Sequence, residues 1–243
     1  MRSMSLTRRN LKKIFRDPIT FLLGGAMPVL FLFLFSSMQN IGGGIDLFKP
    51  QMLTPGLIIF SFAFIIMFSG TLLGKDSKTA FLTRLMTTPL KPVDYFLAYM
   101  LPFLPLALFQ LVVCYTAGMI LGVTVTNIGL LLIFYFLMAI MCISIGIIMG
   151  SLLTLNQISG VGSLIITAVS LFSGAWMDLK MIGGIFEKVG YAMPFAHSID
   201  ALKALTKGAS FATIQRDFIW VLVYTLIFFG LAILALKWKT RRV

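Results

Sequence analysis

Between Tyr95 and Met177 the chain runs for 83 residues without an Asp, Glu, Lys, Arg or His. A soluble domain carries about 25% charged residues, and a gap of this length cannot cover a surface that faces water. In a bilayer such a gap is required, because one charge at mid-depth costs about 2.5–3.5 kcal/mol on insertion scales. The rest of the chain agrees: 12% of its residues are charged, 59% are apolar and the mean hydropathy is +0.99. The composition specifies an all-α polytopic membrane protein, since a helix crosses the hydrocarbon core in about 20 residues.

As one helix the uncharged stretch would extend about 125 Å, roughly four core thicknesses, so it must fold back. Its polar breaks are Gly122-Val123-Thr124-Val125-Thr126-Asn127 and Thr154-Leu155-Asn156-Gln157. They divide it into crossings at 96–121, 128–153 and 158–177, with Pro102 and Pro105 as points of bend at the entry to the first of these. Uncharged runs at 19–38 and 53–74 precede it and one at 218–236 follows, giving six spans. The first is too long for a signal-peptide core, and Ser36-Ser37-Met38-Gln39 is a poor cleavage site, so it reads as an uncleaved span.

An even count puts both termini on one side. The N-terminal segment, the loop after span two and the tail hold 14 of the 20 Lys and Arg residues, which makes that side cytoplasmic. The net charge of +12 is spread over short segments between apolar runs rather than over a basic face, which argues against nucleic acid. Cys114 and Cys142 lie inside apolar runs and read as packing residues. No spacing points to a metal site, a bound cofactor or a catalytic set.

Three segments between the spans are informative. Residues 1–18 carry an amphipathic pattern with Met4, Thr7, Leu11, Ile14 and Phe15 on one face and Arg9, Lys12, Lys13 and Arg16 opposite, ended by Asp17-Pro18. The pattern fits an interfacial helix with its basic face toward anionic lipid; the plainer alternative is a basic flank that only sets topology. In the cytoplasmic loop 75–94, Phe81, Leu82, Leu85 and Met86 recur at helical spacing with Arg84 opposite, and Thr88-Pro89 ends the helix. Such an apolar ridge has to be buried on the membrane, on the spans or in a groove of a partner protein. The segment 178–217 is too charged to span and too apolar for a plain loop, and it reads as an external re-entrant helical hairpin broken at Pro194. On it His197 and Asp200 share a face one turn apart, without a nucleophile or metal set, so an enzyme is disfavoured.

Glycines four apart occur as Gly70 and Gly74, Gly118 and Gly122, and Gly146 and Gly150. They permit close helix packing, within the chain in preference to between copies. The spans hold no ionisable residue, which leaves a proton or ion relay nothing to run on and disfavours a secondary transporter, though not a neutral channel. An uncharged path lined by Phe and Met suits amphiphilic cargo.

The order of these parts resembles the permease subunit of an ATP-binding cassette exporter of the type-2 family. The basic helix ending in Asp17-Pro18, six spans, a cytoplasmic helix ending in Thr88-Pro89-Leu90, Ser173-Gly174-Ala175 near the end of span five and an external stretch with Pro194 all take part. The chain departs from many relatives in having Ala80-Phe81 for Gly-Thr, only Asp76 as the acid that begins the cytoplasmic helix, and Trp176-Met177-Asp178 where prolines are common. The resemblance implies that 75–94 is a coupling helix, with Phe81, Leu82, Arg84, Leu85, Met86, Thr88 and Pro89 docking a separate ATPase. Gly70-Thr71-Leu72-Leu73-Gly74-Lys75-Asp76 does not have the phosphate-loop spacing, so ATP and Mg belong to that partner. The resemblance further implies two ATPases and a second permease copy, a homodimer in preference to a heterodimer, in the cytoplasmic membrane of a prokaryote. The compact external loops resemble the drug and peptide exporters. Polysaccharide or sodium export within the family, and an ATP-independent channel or porter, remain alternatives.

Overall fold

The computed structural model describes residues 2–41, 48–79, 92–176 and 178–240, and among these every regular element is helical. Six helices are long and apolar enough to cross a membrane: Pro18–Met38, Pro50–Ser77, Pro92–Ile120, Ile128–Leu152, Leu155–Phe172 and Phe211–Lys239, called spans one to six. An N-terminal helix, Arg2–Phe15, precedes them. Three short helices, Leu179–Ile182, Gly184–Tyr191 and Pro194–Thr206, lie between spans five and six.

Span two is the hub, with 72% of its most apolar window buried against 17% for span five. Glycine puts it there. A Cβ at Gly146 of span four would lie 2.4 Å from the Ile66 carbonyl oxygen, and one at Gly150 would lie 2.6 Å from that of Gly70. Only a stripe without side chains lets two backbones approach so closely. Gly74 meets Ile158 and Leu155 of span five, and Gly118 meets Thr54. Gly122 is a correction to the spacing argument. Its φ is +91° and nothing lies where a Cβ would stand, so it turns the chain instead of packing a helix.

Span one contains a π turn over Leu22–Ala26. Gln110 of span three, fully buried, presses its amide into the notch that Gly24 leaves, where a Cβ would be 2.2 Å from Nε2. Span three is helical over Pro92–Met100 and again over Phe103–Ile120, so the break falls at Leu101-Pro102. Pro105 sits in the first turn of the second piece, where its missing N–H costs nothing.

Several boundaries differ from the hydropathy reading for one reason. Span two runs past Gly74 through Lys75, Asp76 and Ser77, and span six starts at Phe211 and includes Gln215, Arg216 and Asp217. Polar residues extend a helix when other elements supply their partners. Span five is the opposite case: its helix stops at Phe172, and Ser173–Trp176 form a turn.

Candidate functional site

The N-terminal helix lies against the start of span three. Leu6, Asn10 and Ile14, each four residues from the last, form its buried line, and Asn10 Nδ2 donates to the Ala98 carbonyl at 3.1 Å. This corrects the expected faces. Ile14 turns to the protein, while Met4 and Phe15 face outward, 75% and 56% exposed. Leu11 is half-buried and Lys12 and Arg16 are exposed. Arg9 and Lys13, expected to face lipid, reach sideways to Asp76.

Asp76 sits in the last turn of span two with its side chain 4% exposed. Arg9 Nη2 and Lys13 Nζ both pair with it, the latter at 2.7 Å, and the Tyr99 hydroxyl donates to Oδ2 at 2.8 Å. A carboxylate at this burial requires such partners. One residue on, Ser77 Oγ accepts from Lys239 at the end of span six, and that same amine donates to the Gly150 carbonyl of span four at 2.8 Å. The N-terminal helix and spans two, three, four and six therefore meet at one point. From that point the chain leaves for residues 80–91. Phe81, Leu82, Arg84, Leu85, Met86, Thr88 and Pro89 lie in that stretch, outside the described residues.

The opposite end is closed by shape. Gly174, at φ +76°, turns the chain after span five so that Ala175 drops onto Gly56 of span two, where a Cβ would lie 2.6 Å from the Ala175 carbonyl oxygen. Trp176 then packs on Phe31 and Phe35 of span one and Phe60 of span two, with centroids 5.4, 5.1 and 5.4 Å away. Lys203 Nζ donates to the Gly174 carbonyl at 3.0 Å, and burial lowers its pKa against the pull of Asp200 and Asp178.

The Pro194–Thr206 helix carries His197, which pairs with Asp217 of span six and not with Asp200 on its own face. Nδ1 lies 2.7 Å from Asp217 of span six, Nε2 lies 3.0 Å from the Tyr191 carbonyl oxygen, and the ring stacks on Trp220. Both nitrogens lie within hydrogen-bond distance of an oxygen on another part of the chain. Asp200 instead accepts from the Tyr191 hydroxyl, whose pKa is raised by burial and by that bond. With both nitrogens held this way, His197 fastens helices together and has none left for acid–base chemistry. Pro194 is buried at the first position of its helix, and its carbonyl accepts from Ser198, whose hydroxyl also lies 2.8 Å from Met138 Sδ of span four. A cavity of about 510 Å³ opens beside this helix, lined by Asp178, Lys180, Asp200, Lys203, Lys207 and Asp217 among others.

Residues 2–206 match the ABC-2 type transporter family. The chain belongs to that family. The match runs from the N-terminal helix through the Pro194–Thr206 helix and stops short of span six. This permease is the membrane-spanning subunit of an ABC transporter, and membership implies an ABC ATPase as partner. No curated protein and no solved structure matches the chain.

Asp76, Tyr99, Lys239, Trp176 and Asp217 were not marked as site residues from the sequence. Asp76 had a signal: it is a carboxylate at the end of an apolar run, in a chain whose first helix is rich in Arg and Lys. Tyr99 and Trp176 had none, since an aromatic inside an apolar run looks like any other.

Proposed function

We propose that this permease is the membrane half of an exporter driven by a separate ATPase that docks on residues 80–91. The observation that carries the reading is the junction at Asp76. A segment that transmits force needs its root tied to several spans, and here the root is tied to the N-terminal helix and to spans two, three, four and six. Closing of two ATPases would displace 80–91, and the tie would pass that displacement to the bundle. In this reading the terminus-bearing end is cytoplasmic, and the Pro194–Thr206 helix is re-entrant from the outside. Its contact with Met138, ten residues into span four, supports a depth of about 15 Å.

The working unit is a homodimer. Span five is the least covered span, and it exposes Ser159, Gly160, Ser163 and Thr167 along one side. Hydroxyls and a bare glycine suit another helix better than acyl chains. The cargo is amphiphilic, a drug, peptide or lipid-like molecule. Phe64 and Phe68, half-buried one turn apart on span two with centroids 6.3 Å apart, offer it stacking surface without charge.

The test is a mild-detergent pull-down of the tagged chain, compared with a variant in which Phe81, Leu82, Leu85 and Met86 are changed to Ser. A soluble ATPase present with the parent and lost in the variant is the expected result. No ATPase in either sample, with the permease intact, overturns the docking reading and favours an ATP-independent channel or porter. Disulfide trapping of Ser163→Cys tests the dimer against a quiet background, because Cys114 and Cys142 are buried.

A further inference from the structure

Between the N-terminal helix and spans one, two and three, at the terminus-bearing end, lies a groove of about 370 Å³. Its rim holds Lys13, Arg16 and Lys75. Its floor is Phe68, Leu72 and the buried Phe103, with Thr71 between rim and floor. From Lys75 down to Phe68 is seven residues of helix, about 10 Å, the distance from a phosphate past the glycerol to the first methylenes. Cations above, a hydroxyl at mid-height and apolar rings below follow the polarity of a phospholipid from headgroup to chain.

Two of the three rim cations are open to such a ligand. Among the described residues neither Arg16 nor Lys75 pairs with a carboxylate, and both are exposed. Asp17, the one acid in the lining, is occupied: its two oxygens accept from the Ile19 amide and the Thr20 hydroxyl, each at 3.1 Å. Lys13 is shared, lining the groove while it pairs with Asp76.

We propose that this groove is a binding site for one anionic glycerophospholipid of the surrounding leaflet. The phosphate sits between Arg16 and Lys75, and an acyl chain descends over Phe68, Leu72 and Phe103. A soluble phosphorylated ligand would leave that floor bare, so the occupant is a lipid. Through Lys13 the lipid touches the Asp76 junction, and leaflet composition thereby sets how firmly the N-terminal helix is held at the root of 80–91. The site does not depend on the transport reading, since it needs only a chain in a bilayer.

Native mass spectrometry of the purified, delipidated full chain, titrated separately with dioleoyl phosphatidylglycerol and dioleoyl phosphatidylcholine, tests it. One phosphatidylglycerol is expected to bind in preference. Arg16→Gln with Lys75→Gln is expected to weaken it roughly 25-fold, about a factor of five for each cation. Thr71→Phe keeps every charge and fills the groove, and it is expected to abolish the preference. Arg8→Gln with Lys12→Gln removes the same charge from exposed positions outside the groove and is expected to leave binding unchanged. Equal binding of the two lipids overturns the proposal, as does an equal loss in the Arg8 and Lys12 variant, which would mean diffuse surface attraction only. Thermal unfolding of each variant separates lost binding from lost folding, and if Arg16→Gln with Lys75→Gln unfolds, the Thr71→Phe result decides.

Discussion

The two ends of the bundle are fastened by different means. At the terminus-bearing end the fastening is charge at the tips of long side chains, Arg9, Lys13 and Lys239, around one buried carboxylate and a serine. At the other end it is backbone on backbone, Ala175 against Gly56, with Trp176 wedged among three phenylalanines. Long side chains follow a moving helix for an ångström or more and keep their contacts, whereas a glycine notch has no such slack, because close-packed contacts fail within a fraction of an ångström. The first end is built to take up displacement and the second to hold or release as a unit.

The sharpest way to break the contrast is to remove both cations. Arg9→Met with Lys13→Met leaves Asp76 buried beside Tyr99 alone. The expected loss is about 3–5 kcal/mol, read by chemical unfolding in detergent. Adding Asp76→Asn to the pair should return most of it, which a packing defect would not do. Arg9→Lys with Lys13→Arg should be nearly silent if slack is what this end requires. At the other end, Gly56→Val drives side-chain atoms into the Ala175 backbone, with an expected cost of about 1–3 kcal/mol and no rescue by conservative exchange. A tolerated Gly56→Val would erase the distinction.

His197→Phe keeps the ring on Trp220 but drops both polar bonds. It should cost about 1–2 kcal/mol and leave ATPase association untouched. Smallest is a pH effect. Burial lowers the Lys203 pKa from its ordinary 10.5, so between the two values the unfolded chain binds more protons and stability rises with pH. Lys203→Met should flatten that slope in unfolding midpoints taken on the alkaline side.

The fold was legible because lipid excludes charge along whole helices, and 83 uncharged residues with two polar breaks leave few ways to thread a bilayer. The close glycine contact of spans two and four was legible only as a possibility, since spacing does not name the partner helix. What stayed hidden were relations across the chain. Asp76 lies 67 residues from Arg9, and His197 lies 20 from Asp217. Local periodicity sees a turn or two, so it set His197 beside Asp200 on one face and turned Arg9 and Lys13 toward lipid. In each case the observed partner sits on another helix.

The π turn at Leu22–Ala26 has a consequence for how span one is threaded. Such a turn takes one more residue than an α turn, so the helix after it is out of phase with the helix before it by about 100°. Phe31 and Phe35 follow the turn and meet Trp176 with that offset in place. Deleting a single residue from the turn would restore a regular screw and rotate both rings away from the tryptophan, so one surplus residue sets the azimuth of the half of the first span that meets Trp176.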